Sequence, residues 1–426
     1  MAAETHRALV GHLELERQMG GYAAAKQGQD SAPGQQEGAS ITCDPHEAIA
    51  KLLGSSADEV ALAESAQVAW AKAFYSMHFR EGDRILCFES EYAGNAVAFL
   101  QAMRRAPVAL EILPMRPDGI IDVPALERAL ERPMGRGRTL VALTHCGSAE
   151  SVVQPAARVG RLCRQHGAIY LLDACQTVGQ LPVDVEELQC DFLCGTGRKW
   201  LRGPRGTGFL YARRSVLDAV GRDDDARGGP LLVGEPPMVD HTSVRWVSKS
   251  EYHLEPSAKR YEMWESSVAD RLGLGVAVAQ CHDIGPLRIH QISSSLAARL
   301  RHGLKTVAGV RMRDAPTGFD EAVAAALGAS RCAIVAFDAS GAGVASQTVH
   351  DALVAHKIAI TLSSPYHTFD DGLWSRPPIV RFSPSYYNTE DEVDRVVEVV
   401  RGAISTRDLR GDGRARGRRG PATKGS

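Results

Sequence analysis

The sequence has no run of about 18 apolar residues, so no membrane-spanning helix is expected. Its first residues, MAAETHRALVGHLELERQ, are polar and lack the apolar stretch of a secretory leader. Charge of neither sign dominates. The 49 basic and 51 acidic residues leave a formal net charge of -2, which gives no electrostatic reason to bind nucleic acid. Nine cysteines, an odd number, fall without the spacing of a disulfide framework and read as reduced thiols in a cytoplasmic protein. The closest pair, Cys190 and Cys194, has no second pair to complete a zinc site. No internal repeat is visible. No GxGxxG turn follows an early strand, which leaves a dinucleotide-binding oxidoreductase without its signature.

What is present is a chain of 426 residues, 44% hydrophobic, with the composition of a globular enzyme. DPHEAIAKLLG reads as a helix with Asp44 as N-cap and Gly54 near its end. From there helical segments such as SAQVAWAKAFYSMHF and YAGNAVAFLQAMRR alternate with short apolar strands: DRILCFE, VALEILP, TLVALTH, AIYLLDA, DFLCGTG and GTGFLYAR. That alternation predicts an α/β fold, a mainly parallel sheet covered by helices on both faces, with ligands at the carboxyl ends of the strands. After about residue 245 the pattern changes to that of a smaller α+β unit. The expected division is an N-terminal helix and loop over 1–43, a large domain over 44–245, a small domain over 246–405 and a disordered basic tail over 406–426.

The informative stretch is LLDACQTVGQLPVDVEELQCDFLCGTGRKWLRGPRGTGFLY, Leu171 to Tyr211. Asp173 ends one apolar strand and Lys199 follows another, so both can face one crevice. A lysine there is a candidate Schiff-base nucleophile, with Arg198 and Arg202 as neighbouring cations. A carboxylate at Asp173 would keep a pyridine nitrogen protonated and the ring an electron sink, which is the chemistry of pyridoxal 5'-phosphate (PLP). His145, ending TLVALTH, could stack on the ring. Phosphate needs N–H donors, hydroxyls and a cation. The helix that begins near Ser65 offers the first, and Thr196 and Arg198 offer the others. Singly, Asp173 reads as a turn residue, Lys199 as a solvated cation, His145 as a satisfied core histidine and GPRGTG as a chain turn. The ordered set is far more specific than any member.

These residues resemble the class V aminotransferase superfamily of fold-type I PLP enzymes. The resemblance runs from MGGYAAA, at Met19, to EDEVDRVVEVV, and its most specific parts are LLDACQ, TGRKWLRGPRGTGFLY and VRFSPSYYNTEDEV. Within the superfamily the chain looks most like the isopenicillin N epimerase-like and ergothioneine-pathway C–S lyase branch. The resemblance implies Lys199 as the PLP lysine, Asp173 as partner of the pyridine nitrogen and His145 as the stacking residue. Gln176 falls where the family contacts the phenolic oxygen. Ser65, Ala66 and Gln67 fall on the phosphate-binding helix start, and Thr196 and Arg198 at phosphate positions before the lysine. Arg381 falls where the family clamps the substrate carboxylate, a bidentate pairing that suits an α-amino acid. A homodimer acting on a small amino-acid-like substrate is implied as well.

The sequence departs from the family pattern at several places. The family's Asn- and Ala-rich segment before MGGY is missing, which suggests a start lying upstream or an altered substrate wall. Gln67 stands where many relatives have Thr. Glu265, in RYEMWESSV, stands where related desulfurases bring a phosphate-binding Thr, so Ser266 or Ser267 is the expected substitute. A cysteine desulfurase needs a reactive cysteine on a loop, and SSPYHTFDDGLW has none. Cys332 reads as a core thiol, and Cys146 and Cys175 are expected to face away from the site because adjacent strand residues alternate. The expectation is a PLP enzyme of C–S lyase or epimerase type. The alternatives are an aminotransferase or cysteine desulfurase, and a non-catalytic binding protein with this fold.

Overall fold

A computed structural model describes residues 1–30, 43–135, 137–219, 235–364, 369–370 and 376–415. Seven strands form the large sheet: β1 (Val60–Ala63), β2 (Arg84–Phe88), β3 (Ala109–Leu113), β4 (Thr139–Thr144), β5 (Ile169–Asp173), β6 (Phe192–Thr196) and β7 (Gly208–Ala212). Their order across the sheet is β1-β7-β6-β5-β4-β2-β3. Only β7 runs against the others, pairing antiparallel with both β1 and β6. The sheet is therefore mainly parallel, as its helix-strand alternation predicts, and the carboxyl ends of β4, β5 and β6 share one edge.

Alternation along the strands divides the core in two. Val141, Leu143, Tyr170, Leu172 and Leu193 pack on one face. Leu140, Ala142, Leu171, Phe192 and Cys194 pack on the other. A strand buried on both faces has no polar alternation, which is why these segments read as plain apolar runs. The helix Pro45–Leu53 begins where expected: Asp44 accepts from the His46 N–H at 2.8 Å, and Gly54 ends it at φ 71°. That left-handed conformation favours glycine.

The expected boundary near 245 does not coincide with a change of core. The helix Val268–Ile284 still packs on the large sheet, through Leu274, Val278 and Cys281. The small domain is a four-stranded antiparallel sheet of Arg311–Met312, Val335–Asp338, Ile379–Phe382 and Thr361–Ser363. Helices Pro286–Lys305, Ser346–Ala355 and Glu390–Ala415 cover it. The two bodies meet at a seam where Val152–Val153 pairs with Ser330–Arg331. The segment expected as a disordered tail is helical as far as Ala415, and 416–426 lie outside the described residues. No described helix is long and apolar enough to cross a membrane.

Candidate active site

Ser65, Asp173, Thr196 and Lys199 lie at or just past the carboxyl ends of strands of the large sheet, while Arg381 lies on a strand of the small one. Asp173 ends β5, in register with Thr144 of β4 and Cys194 of β6. It is 8% exposed and both its oxygens are engaged. Oδ1 accepts from the Cys175 backbone N–H at 3.0 Å, and Oδ2 from Asn95 Nδ2 at 3.3 Å. Two fixed donors orient the carboxylate.

Lys199 follows β6 in a turn and is half-buried. Among the described residues its amine makes no hydrogen bond or ion pair. Its charge and that of Asp173 reach the same two thiols. The contact with Cys194 lowers Cys175, but burial and Asp173 push it up on balance, with Lys199 opposing. Burial pushes Cys194 well up, with Cys175 and Asp173 adding and Lys199 again opposing. Asp173 and Lys199 are thus both neighbours of Cys175 and Cys194, by the carboxyl ends of β5 and β6. Cys175 lies close to Asp173 rather than turned away from it, a correction to the expectation from simple alternation. The chain leaves the extended conformation after Asp173, so the two-residue period ends there.

Gln176 is 3% exposed. Its Oε1 accepts from Trp200 Nε1 at 3.2 Å, while its buried Nε2 has no partner among the described residues. A buried donor without a partner costs about 1–3 kcal/mol, so such a group in a crevice waits for an acceptor. At the seam, Arg381 is half-buried and meets only Ser383 Oγ at 3.2 Å, without a carboxylate among the described residues. Burial lowers its pKa, and Arg198 adds to the effect. The charge of Arg198 also reaches Tyr92, where it opposes the upward push of burial. Arg202, expected beside Lys199, is turned instead to the small domain. It donates to the Tyr386 hydroxyl at 3.0 Å and lies 4.2 Å over the Tyr387 ring.

The helix Ala66–Tyr75 starts at the same edge, and Ser65 caps it by accepting from the Val68 N–H at 3.2 Å. Gly208 lets β7 approach this start: a Cβ there would fall 2.3 Å from the Ala66 nitrogen. Thr196 donates to the Thr207 carbonyl at 3.3 Å. Gln67 is exposed, and its amide lies over Gly94, where a Cβ would fall 2.2 Å from Oε1 and 2.8 Å from Tyr92 Cε1. The phosphate-type donors and the Tyr92 ring are thus neighbours. The Ser267 side chain, an expected substitute at Glu265, caps the helix Val268–Ile284 by accepting from the Asp270 N–H at 3.2 Å, and Glu265 itself is exposed.

His145 lies one residue past the end of β4, 7% exposed, and its backbone N–H donates to the Asp173 carbonyl at 2.9 Å. Its Nδ1 is 3.0 Å from Thr177 Oγ1, and burial pushes its pKa down to about 4, so the ring is neutral. The Thr177 hydroxyl donates to the Ala174 carbonyl, which leaves its oxygen to accept from Nδ1–H.

Three residues of this edge were missed in the sequence: Glu91, Tyr92 and Asn95, all in ESEYAGNAV. Glu91 Oε1 accepts from the Tyr92 N–H at 2.8 Å, from Asn95 Nδ2 at 3.0 Å and from the Thr144 hydroxyl. Burial pushes Glu91 up to about 7 against these bonds, and the charge of Asp173 adds to the push. One amide, Asn95, thus ties two carboxyls together. The only signal was the position of these residues just after an apolar strand. A cleft of about 940 Å³ opens from Tyr92 and Thr144 towards the small domain, lined by Arg116, Glu150, Arg313 and Ile379 among others.

Residues 21–396 match the family model for class-V aminotransferases. The chain is 27% identical over 267 residues to a probable cysteine desulfurase of Methanothermobacter thermautotrophicus, an alignment spanning 63% of this chain and 62% of that protein. It is 27% identical over 327 residues to the cysteine desulfurase of Shigella sonnei, covering 77% and 72%. The fold is similar to that of the apo cysteine desulfurase from Thermococcus onnurineus NA1, with a TM-score of 0.76 at 20% identity over 95% and 92% of the chains. It is also similar to the cystine C–S lyase C-DES, with a TM-score of 0.72 at 19% identity over 94% of each chain. The chain belongs to the class-V aminotransferase family, enzymes of the PLP-dependent fold-type I architecture.

Proposed function

We propose that this crevice holds PLP, bound covalently through Lys199, and that the protein cleaves a Cβ–S bond of a sulfur-containing α-amino acid. What supports the reading is that Asp173 and Lys199 both neighbour Cys175 and Cys194 by the carboxyl ends of β5 and β6, close to Gln176, whose buried amide nitrogen has no partner among the described residues. The residues fit the group: an amine, an oriented carboxylate, an unpaired amide donor and a glycine-cleared helix start.

Bound there, the cofactor supplies an electron sink that makes the substrate's α-hydrogen acidic. Asp173, fixed by Cys175 and Asn95, keeps a proton on the ring nitrogen. Gln176 Nε2 donates to the phenolic oxygen. Ser65, Ala66, Gln67, Thr196 and Arg198 gather the phosphate, and Tyr92, rather than His145, covers the ring face. Arg381 pairs with the substrate carboxylate. Lys199 Nζ takes the α-proton as general base. The cleft beyond Tyr92 receives the side chain and its leaving sulfur. We further infer a cytoplasmic homodimer. The exposed hairpin of Val244–Ser248 and Glu251–Leu254, where Trp246 (75% exposed) pairs with Tyr252 (42% exposed), offers aromatic surface that suits a second copy.

Cysteine desulfuration is the second reading, and the curated relatives favour it. Against it stands the absence of a cysteine from SSPYHTFDDGLW, part of which lies outside the described residues. An epimerase-branch placement has no support among the relatives reported above. Product analysis with L-cysteine and L-cystine separates the readings. Pyruvate with ammonia is expected. Alanine in their place moves the reaction to desulfuration. Turnover that occurs only with an added keto acid rejects C–S cleavage, and a protein that stays colourless with added PLP rejects the cofactor.

A further inference from the structure

Cys146 and Cys332 are 186 residues apart in sequence, yet their sulfurs lie 3.6 Å apart across the seam between the two bodies. Each residue is 1% exposed. Cys146 lies two residues past the end of β4, and Cys332 follows the Ser330–Arg331 pairing, where its backbone N–H donates to the Ser151 carbonyl at 2.7 Å. Their surroundings are not those of two inert core thiols. The Cys332 carbonyl accepts from Arg301 Nη2 at 2.8 Å. The charge of Arg381, the proposed substrate clamp, reaches both sulfurs. The next residues after Cys146, Gly147 to Glu150, line the large cleft, so solvent space begins one residue away.

We propose that Cys146 and Cys332 are an oxidisable dithiol whose disulfide ties the small domain to the large one beside Arg381. A disulfide sulfur pair is about 2.05 Å apart, so the two sulfurs need to close by about 1.5 Å. Burial opposes a thiolate at Cys332, but the Cys146 S–H, the Ile334 N–H, Arg301 and Arg381 outweigh it and hold Cys332 below the usual thiol range, while the shared hydrogen bond and burial push Cys146 up. With hydrogen peroxide as oxidant, one of the two sulfurs, deprotonated, attacks one peroxide oxygen; the O–O bond breaks, and hydroxide leaves and takes up the thiol's proton as water, giving a sulfenic acid. The other sulfur then displaces the second water. Two S–H bonds and one O–O bond are lost, and one S–S bond and two O–H bonds form. Two electrons pass to the peroxide. This inference does not depend on which bond the enzyme cleaves.

The test uses the full-length protein with PLP bound, exposed to hydrogen peroxide and digested without reductant. The expected product is a mass loss of about 2 Da and a single linked pair of peptides carrying Cys146 and Cys332. Dithiothreitol should reverse both. The oxidised protein should also unfold at a higher temperature, because the link closes a long loop in the unfolded chain. Cys146→Ser and Cys332→Ser should each abolish the linked pair. The proposal is overturned if wild-type protein gains oxygen at these sulfurs instead, if both thiols survive while Cys43 or Cys175 oxidises, or if the linked pair joins Cys175 to Cys194.

Discussion

Two buried polar clusters in this molecule are built on opposite terms. Beside the helix Pro45–Leu53, Glu262 has no unsatisfied oxygen. Its Oε1 accepts from His46 at 2.6 Å and from the Leu62 N–H at 2.7 Å, and its Oε2 takes Arg271. His46 pairs in turn with Asp44 at 3.0 Å. Burial alone would push Glu262 up, yet these partners hold it below the usual carboxylate range. At the carboxyl edge of the large sheet the opposite holds: among the described residues Gln176 Nε2 and the Lys199 amine have no partner, and at the seam the Arg381 guanidinium meets only Ser383 Oγ. A cluster that satisfies itself holds the fold, and one that leaves donors and cations unpaired is arranged for a ligand. On the proposed function that ligand is a phosphate-bearing ring and a carboxylate.

The comparison can be broken by exchanging the expected outcomes. Glu262→Ala should cost about 3–5 kcal/mol of folding stability, because it strands His46 and Arg271 in a buried site. PLP affinity should stay unchanged, and denaturant titration with PLP titration reads both. Arg381→Ala should do the reverse, leaving stability nearly intact while weakening substrate binding by about 2–5 kcal/mol. An unaltered apparent substrate affinity would remove Arg381 from the clamp role.

Glu91 sharpens the comparison through pH. Its pKa rises from 4.5 in the unfolded chain to about 7 in the fold, so the folded state holds the extra proton between those values. Stability should fall as pH rises from about 4.5 to 7, by a total on the order of 3 kcal/mol. Glu91→Gln should flatten that dependence in chemical denaturation across the window. The smallest effect concerns the ring face. Tyr92→Leu should weaken PLP binding by about 0.5–1.5 kcal/mol with little change in stability. His145→Gln should leave PLP affinity nearly unaltered, and a larger loss there than at Tyr92 would return His145 to the ring.

Much of this was legible in the sequence for definite physical reasons. Strands buried on both faces read as apolar runs, and Asp44, Gly54 and the segment around Lys199 carry strong local signals. The strand Val60–Ala63 was not legible, because four residues are too few for periodicity to register. The hairpin around Trp246 was missed because its exposed residues have no buried face to alternate against. In the site, the resemblance pointed to Asp173, Lys199, Gln176 and Arg381. It could not show Tyr92 beside Gln67. Nor could it show the bridge from Glu91 through Asn95 to Asp173, which joins residues 78 positions apart.

The central claim is that Lys199 carries the cofactor. Borohydride reduction of the PLP-loaded protein, followed by peptide mass spectrometry, tests it directly. The account predicts a single pyridoxyl-phosphate adduct on Lys199, lost in a folded Lys199→Ala variant. An adduct on another lysine, or one retained in that variant, would contradict it.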